Sequence, residues 1–156
     1  MQKEVRFATV KDFDFIYDSL QEDLEEQGVL HRFNYSKEAF KQAIFGKKPL
    51  ATFLILLMDG KPGGFANYAI DHRNFTANTL GNLYLNDLFV KKSYRRMNGA
   101  TLLINKLKEI AQQENCGRIE FFTLAENRVA QAFYEKVLPS QTINDKLHYM
   151  RFELKR

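Results

Sequence analysis

The apolar residues of this chain recur at two spacings, and each spacing predicts one kind of element. Intervals of three and four residues predict amphipathic helices over 11–27, over a segment capped by Ser36, over a long segment that begins near Met97, and over 127–137. Short apolar runs predict strands over 4–10, 51–58, 65–71, 83–90, 118–124 and 147–154. Strands therefore follow one another in some places and alternate with helices in others.

This order of elements indicates the fold class. Asp59-Gly60 is a strong hairpin turn signal between two predicted strands, whereas later strands are separated by helices. The chain is thus predicted to be an α/β protein (mixed α+β), with a mixed sheet covered by helices on both faces. No internal repeat, low-complexity segment or linker interrupts the pattern, so a single domain is expected over residues 1–156.

Composition adds a basic surface to this picture. Of the 156 residues, 45% are hydrophobic and 27% are charged; the formal net charge is +4 and the sequence pI is about 9.1. Such a surface attracts nucleic acid, membranes or a polyphosphate cofactor, or is simply solvated. No recognised nucleic-acid-binding motif accompanies it, and the longest apolar run, 51–58, is far shorter than the roughly 20 residues that a bilayer requires. We therefore expect neither a nucleic-acid partner nor a membrane partner.

Cysteine and histidine restrict the remaining chemistry. Cys116 is the only cysteine, which excludes an intrachain disulfide and favours a reducing compartment. His31, His72 and His148 share no metal-type spacing, so no metal site is expected. With no signal-type apolar segment after Met1, the protein is expected to be cytoplasmic.

One segment combines charge and backbone geometry in a way that favours phosphate binding. The strand predicted over 83–90 leads into the long helix through a basic approach and then small residues: Lys91, Lys92, Arg95, Arg96, Asn98, Gly99 and Ala100. A helix N-terminus offers four backbone N–H groups without helical acceptors and about half a positive charge, which makes it a ready anion site. These features alone fit a phosphate-binding turn and a structural tight turn with solvated basic residues equally well.

Two motifs in this half of the chain resemble those of a known family. Leu88-Phe89-Val90-x-x-x-Tyr94-Arg95-x-x-Asn98-x-Ala100 resembles the R/Q-x-x-G-x-G/A cofactor motif of the GNAT superfamily of N-acetyltransferases, with Asn98 where the family usually has glycine. Asn127-x-x-Ala130-x-x-Phe133-Tyr134-x-Lys136 resembles the family's N-x-x-A-x-x-F-Y-x-K helix, with Val137-Leu138-Pro139 in place of the usual Gly-Phe. The strand from Tyr84 to Val90 is similar to that of diamine (spermidine/spermine) acetyltransferases, which carry a glutamate at the place of Asn86.

The resemblance implies a fold, a cofactor and a reaction. The fold is a central mixed, mostly antiparallel sheet of six to seven strands, in the order β-α-α-β-β-β-α-β-α-β-β. The reaction is transfer of an acetyl group from acetyl-coenzyme A to a primary amine by direct attack in a ternary complex. The acceptor is a small polyamine-like amine or a protein lysine or N-terminal amine, and a homodimer is possible because dimers are common in the family. The alternative is a module that senses acyl-coenzyme A with little catalysis.

The resemblance also implies which residues hold the cofactor. The backbone of Leu88 and Val90 pairs with the pantetheine arm, and the pyrophosphate lies on backbone N–H groups of the turn. The implied cofactor-binding residues are Leu88, Phe89, Val90, Arg95, Arg96, Met97, Asn98, Gly99, Ala100, Thr101, Asn127 and Tyr134.

Two chemical roles follow from the same resemblance. Tyr134 is expected to be the general acid that protonates the departing thiolate.

An alkyl ammonium has a pKa of about 10.4 and must lose a proton before it attacks. Asn86 cannot accept that proton; Asp87 can, but strand alternation places it opposite Asn86 unless the strand bulges. Glu22, Glu25 and Glu26 are the alternatives. We expect Tyr134 and Asp87 to be catalytic, and Glu25, Glu26 and Asn86 to contact the substrate.

Overall fold

The computed structural model describes residues 1–77, 79–140, 143 and 148–155. The chain divides into two compact units, Met1–Phe122 and Thr123–Arg156. The elements of the first unit are β1 (Lys3–Phe7), α1 (Phe13–Glu26), α2 (Lys37–Phe45), β2 (Thr52–Met58), β3 (Lys61–Asp71), β4 (Gly81–Val90), α3 (Gly99–Gln113) and β5 (Cys116–Glu120). The second unit contains α4 (Arg128–Val137). That residues 1–156 form a single domain stays a prediction.

The strands of the first unit form one five-stranded sheet in chain order, β1-β2-β3-β4-β5. The first four strands pair antiparallel, and β4 pairs with β5 in parallel. Asp59 and Gly60 close the β2–β3 hairpin with φ angles of 48° and 77°, as the sequence predicts. The mixed, mostly antiparallel sheet is confirmed, although five strands are fewer than the six to seven expected.

The strand predicted over 147–154 accounts for part of that difference. Leu147 lies outside the described residues, and residues 148–154 contain no strand. The large apolar side chains of this segment are exposed: Tyr149, Met150, Phe152 and Leu154. An alternating apolar pattern becomes a strand only where a neighbour pairs with its backbone and a core covers its side chains. Residues 148–154 have no ladder, so the prediction is wrong for them.

Helices cover both faces of the sheet, as predicted, and β2 shows why its sequence is apolar throughout. On one face, Phe53 and Ile55 pack with residues of α1, α2 and the next two strands: Phe13, Ile16, Leu20, Phe40, Ile44, Phe65 and Phe89. On the other face, Leu56 contacts the start of α3 at Gly99. Because both faces of β2 are buried, period-two alternation of polar residues is absent from it.

The last two strands separate before β4 ends. The β4–β5 ladder runs from Gly81 to Tyr84, whereas the β3–β4 ladder continues to Val90. Within the described part of the chain, residues 85–90 are therefore paired in the sheet on their β3 side alone. This opening exposes one backbone edge of β4 where the strand approaches α3.

Candidate active site

The backbone of β4 presents alternate residues to the two sides of the strand. The Lys91 N–H donates to the Gly63 carbonyl at 2.9 Å, so Lys91 faces β3. Alternation in an antiparallel ladder then turns the backbone groups of Val90 and Leu88 away from β3, toward the opening. These are the two residues whose backbone the sequence predicts to pair with an extended ligand.

A bulge in β4 brings two polar side chains to one cleft. Asn67 lies opposite Asp87 and Tyr68 lies opposite Leu85, so Asn86 is an extra residue in the strand. Asn86 and Asp87 consequently both line a cleft of about 320 Å³. The other lining residues are mostly apolar: Leu20, Tyr35, Phe40, Ala43, Ile44, Leu50, Ala51, Phe53 and Asn67. Strand alternation alone would place Asp87 and Asn86 on opposite faces of β4. Because the strand bulges, both side chains reach one cleft.

Asp87 has the environment of a base. Its Oδ2 accepts a hydrogen bond from Asn67 Nδ2 at 2.6 Å. Burial raises the pKa of Asp87, and the hydrogen bond from Asn67 opposes that rise only in part. Because desolvation penalises the charged form, this carboxylate binds a proton more tightly than a solvated aspartate does.

A second carboxyl, which the sequence did not lead us to predict, lies near Asp87. Asp23 on α1 is 7% exposed, and its Oδ2 is buried with no hydrogen-bond partner in the described part of the chain. Burial raises the pKa of Asp23 to about 7; a hydrogen bond with Gln27 lowers it, and the negative charge of Asp87 raises it further. The signal was present in the sequence, because Asp23 follows Leu20 by three residues and so falls on the apolar face of α1.

Arg95, the first residue of the predicted cofactor motif, ties α1 to β4. Its Nη2 lies 2.8 Å from Glu26 Oε2, and its Nε donates to the Val90 carbonyl at 2.8 Å. Arg95 therefore holds the end of β4 instead of pointing toward an outer ligand. Glu26, which we expected to contact the substrate, is occupied by this ion pair and approaches Lys92 Nζ at 3.9 Å. Glu25 is exposed and does not line the cleft.

At two positions of the turn after β4, the backbone has a positive φ angle, a conformation that glycine adopts most readily. Arg96 and Asn98 have φ angles of 62° and 63°. Glycine enters this left-handed region freely and asparagine tolerates it, whereas arginine does so at a cost. Lys3 Nζ donates to the Met97 carbonyl at 2.6 Å, which fixes the turn to β1. Arg96 and Met97 are both exposed, so this part of the turn is open to a ligand.

The start of α3 fits an anionic group. Its first backbone bond runs from the Leu102 N–H to the Asn98 carbonyl at 3.2 Å, so the N–H groups of residues 99–101 have no acceptor within the helix. Aligned N–H groups and the helix dipole favour a phosphate at this position. Gly99 also has a packing role, since a Cβ there would lie 2.5 Å from Leu56 Cδ2. Its lack of a side chain lets α3 pack on β2.

Two predicted site residues belong to the second unit. Asn127 Oδ1 accepts from the Ala130 N–H at 3.1 Å and so caps α4, as the sequence predicts. Tyr134 makes an edge-on contact with Phe133, with 5.3 Å between the ring centroids. The roles of Asn127 and Tyr134 toward a cofactor stay predictions.

Two kinds of site are absent from the described residues. No group of three or more histidine, cysteine, aspartate or glutamate side chains is placed to hold a metal ion there. None of the helices in those residues has the length and apolar character needed to cross a membrane.

Comparisons with known proteins agree on one family. A family model described as the acetyltransferase (GNAT) family matches residues 13–138. Thialysine N-epsilon-acetyltransferase of Bos taurus is 28% identical over 156 residues, covering 96% of this chain and 91% of that protein.

Solved structures show the same fold. A possible acetyltransferase from Clostridium difficile 630 matches with a TM-score of 0.80 and 18% identity over 100% of both chains. An aminoglycoside N-acetyltransferase in complex with CoA matches with a TM-score of 0.74 and 18% identity, over 99% of this chain and 95% of that one.

Proposed function

Because the chain belongs to the acetyltransferase (GNAT) family, we propose that it moves an acetyl group from acetyl-coenzyme A to a primary amine by direct attack in a ternary complex. The observation that carries this proposal is the order of features along the end of β4. The bulge at Asn86 places Asp87 at a cleft, the backbone of Leu88 and Val90 faces the sheet opening, and the start of α3 follows. An amine, a thioester and a pyrophosphate need these features in this order.

Acetyl-coenzyme A binds mainly through backbone groups. The pantetheine arm pairs with Leu88 and Val90, and the pyrophosphate lies on the N–H groups of residues 99–101. The exposed side chains of Lys92 and Arg96 add positive charge, whereas Arg95 supports the site through Val90. The Val90 N–H faces the thioester oxygen, and a preorganised donor at such a position contributes on the order of 10²–10³ in rate.

The cleft favours a primary amine carried on an apolar body. Of its lining side chains in the described residues, Asp87 alone is ionisable to a carboxylate, and most of the others are aliphatic or aromatic. The ammonium group lies toward Asp87 and the carbon chain lies along the walls. The relatives named thialysine N-epsilon-acetyltransferase support this reading, because their name places the acetyl group on a side-chain amine. A small alkylamine of the thialysine or polyamine kind is the leading acceptor; a protein lysine or N-terminal amine is the alternative.

The reaction needs one proton acceptor and one proton donor. Asp87 takes a proton from the ammonium group, and the nitrogen lone pair then attacks the thioester carbon. A C–N bond forms and the C–S bond breaks as the adduct collapses. The nitrogen loses its second proton to solvent in that step, and Tyr134 gives its proton to the thiolate and is then reprotonated from solvent. The products are the N-acetyl amine, coenzyme A and one proton.

Thiol release from acetyl-coenzyme A across a panel of amines tests this function. We expect release with small primary alkylamines, and a fall of about 10²–10⁴ in turnover for Asp87→Asn. The exposed Asp18 on α1 offers a control, since Asp18→Asn makes the same chemical change away from the cleft. Tight cofactor binding without release on any amine would favour the acyl-coenzyme A sensor instead.

A further inference from the structure

We propose that Asp23 and Asp87 act as one proton-accepting pair, in which Asp87 receives the proton of the substrate ammonium and Asp23 is a positioning residue that strengthens Asp87 as a base. This inference rests on the proposed function, because it concerns the same transfer at the same cleft. It adds a residue of α1 to a site otherwise built from β4 and the turn that follows.

The geometry begins with an unusual burial. Asp23 is 7% exposed and its Oδ2 is enclosed without a donor in the described residues, although a buried carboxyl oxygen ordinarily has one. One turn further along α1, Glu26 pairs with Arg95 at 2.8 Å, and Arg95 holds the Val90 carbonyl at 2.8 Å. This link fixes the end of α1 against the end of β4. The part of α1 that carries Asp23 is thereby held against the strand that carries Asp87, by contacts outside both carboxyl groups.

Within the described residues, the charged groups that act on Asp23 come from three elements. Asp87 faces it from β4, Glu26 from its own helix and Arg95 from the turn. Burial is the largest influence and raises the pKa of Asp23; Gln27 and Arg95 act in the opposite direction, and the two carboxylates add to the rise. The negative charge of Asp87 raises the pKa of Asp23, and such a coupling is reciprocal, so the pair favours sharing one proton at neutral pH. Asp23 carries that proton, because the Asn67 hydrogen bond stabilises the charge on Asp87.

The shared proton changes what Asp87 can do. Above neutral pH both carboxylates are ionised, and an ammonium group that enters the cleft gives one proton to Asp87. The amine becomes neutral, and the pair keeps one negative charge in place of two. Relief of the repulsion between the two carboxylates favours this proton transfer. A lone solvated aspartate has no such repulsion to relieve and so does not favour the transfer in this way.

This pair also supplies the proton-accepting carboxyl that Asn86 does not provide. The diamine acetyltransferases that this strand resembles have a glutamate there, and Asn86 accepts no proton. In this chain the second carboxyl comes from α1 at Asp23.

The pair is tested first without substrate, by following the side-chain carboxyl carbons of selectively labelled protein by NMR as pH is varied. Asp23 should titrate near pH 7 in the wild type, and its midpoint should fall in Asp87→Asn, which keeps the acceptor oxygen for Asn67 but removes the charge. An Asp23 midpoint near that of a solvated aspartate, or one unmoved by Asp87→Asn, overturns the proposal.

The second test is the pH profile of kcat/KM with the best amine of the panel. The wild type should lose activity as pH falls through about 7. In Asp23→Asn that limb should move to lower pH, and the plateau above pH 8 should fall about tenfold while acetyl-coenzyme A affinity stays constant. Asp23→Glu should recover part of the plateau, and Asp18→Asn should match the wild type.

The possible outcomes separate this inference from the proposed function. A rate that falls equally at every pH in Asp23→Asn, with the limb unmoved, means a merely structural role and overturns the pair. Thiol release by a wild type whose Asp23 titrates as a solvated group overturns the pair and leaves the function standing. Failure of every amine to release thiol overturns both the function and the role of the pair in it, even where the two titrations are coupled.

Discussion

Replacing Asp23 by asparagine should remove a cost to stability that grows with pH. The folded chain raises the pKa of Asp23 to about 7 from an ordinary 3.8. Below the lower value both the folded and the unfolded chain hold the proton, so the charge costs nothing. Between the two values only the unfolded chain releases it, and the free energy of unfolding falls with each rise in pH. Above about 7 both states are ionised and the loss is complete.

The magnitude follows from linkage. Between the two pKa values, each unit of pH lowers the free energy of unfolding by about 1.4 kcal/mol. From pH 5 to pH 8 the free energy of unfolding of the wild type should therefore fall by about 2–3 kcal/mol relative to that of Asp23→Asn. The asparagine amide has its own unsatisfied donors in a buried site, and these add an offset that does not vary with pH. The slope against pH, and not the offset, is therefore the quantity that reports the carboxyl group.

Urea unfolding at pH 5, 6, 7 and 8 measures that slope for the wild type, Asp23→Asn and Asp18→Asn. The control removes a carboxylate from the exposed side of α1, so its difference from the wild type should stay flat. A difference between Asp23→Asn and the wild type that is constant from pH 5 to pH 8 would refute the reasoning. It would mean that the Asp23 carboxyl is solvated or already paired in the folded chain.

Three further changes test other parts of the site. Gly99→Ala should lower the free energy of unfolding in urea by about 1–3 kcal/mol, because the added methyl group meets Leu56 Cδ2 at 2.5 Å. Adding Leu56→Val should recover part of the loss. An unchanged unfolding midpoint would mean that α3 shifts freely. Arg96→Gly should leave stability unchanged or raise it by up to about 1 kcal/mol, because it removes a side chain from a φ of 62°; a clear loss would mean that the side chain makes stabilising contacts. Tyr134→Phe should reduce turnover by about 10²–10⁴ with acetyl-coenzyme A affinity unchanged by calorimetry, and normal turnover would assign the acid to another group.

Features with local causes could be predicted from the sequence. The Asp59-Gly60 turn and the Asn127 cap depend on residues within a few positions of one another, and both are present. The strand expected over 147–154 is absent from the described residues 148–154, because a strand requires a partner that its own alternation does not supply.

Features that depend on packing could not be predicted in the same way. Arg95 and Glu26 pair across 69 positions, so no spacing along the chain announces them. Asp23 stands at an apolar-face position, but only the packing of α1 against the sheet turns that position into a buried carboxyl near Asp87. Charge and position on the helix led to the prediction of Glu25 and Glu26 as substrate contacts. Desolvation instead raises the pKa of the buried Asp23.

Two features of the end of β4 meet at the proposed site. The extra residue at Asn86 brings Asp87 to the cleft, and the parallel ladder with β5 has already ended at Tyr84, so the N–H of Val90 has no strand partner in the described residues. Arg95 bonds both the Val90 carbonyl and Glu26, so one guanidinium joins the end of β4 to the helix that carries Asp23. In the proposed mechanism, this link keeps the Asp23–Asp87 pair and the Val90 N–H in fixed relative positions through a residue that we expect to touch neither reactant. We therefore propose that the arginine of the cofactor motif acts by aligning the site, and that the N–H groups at the start of α3 bind the phosphates.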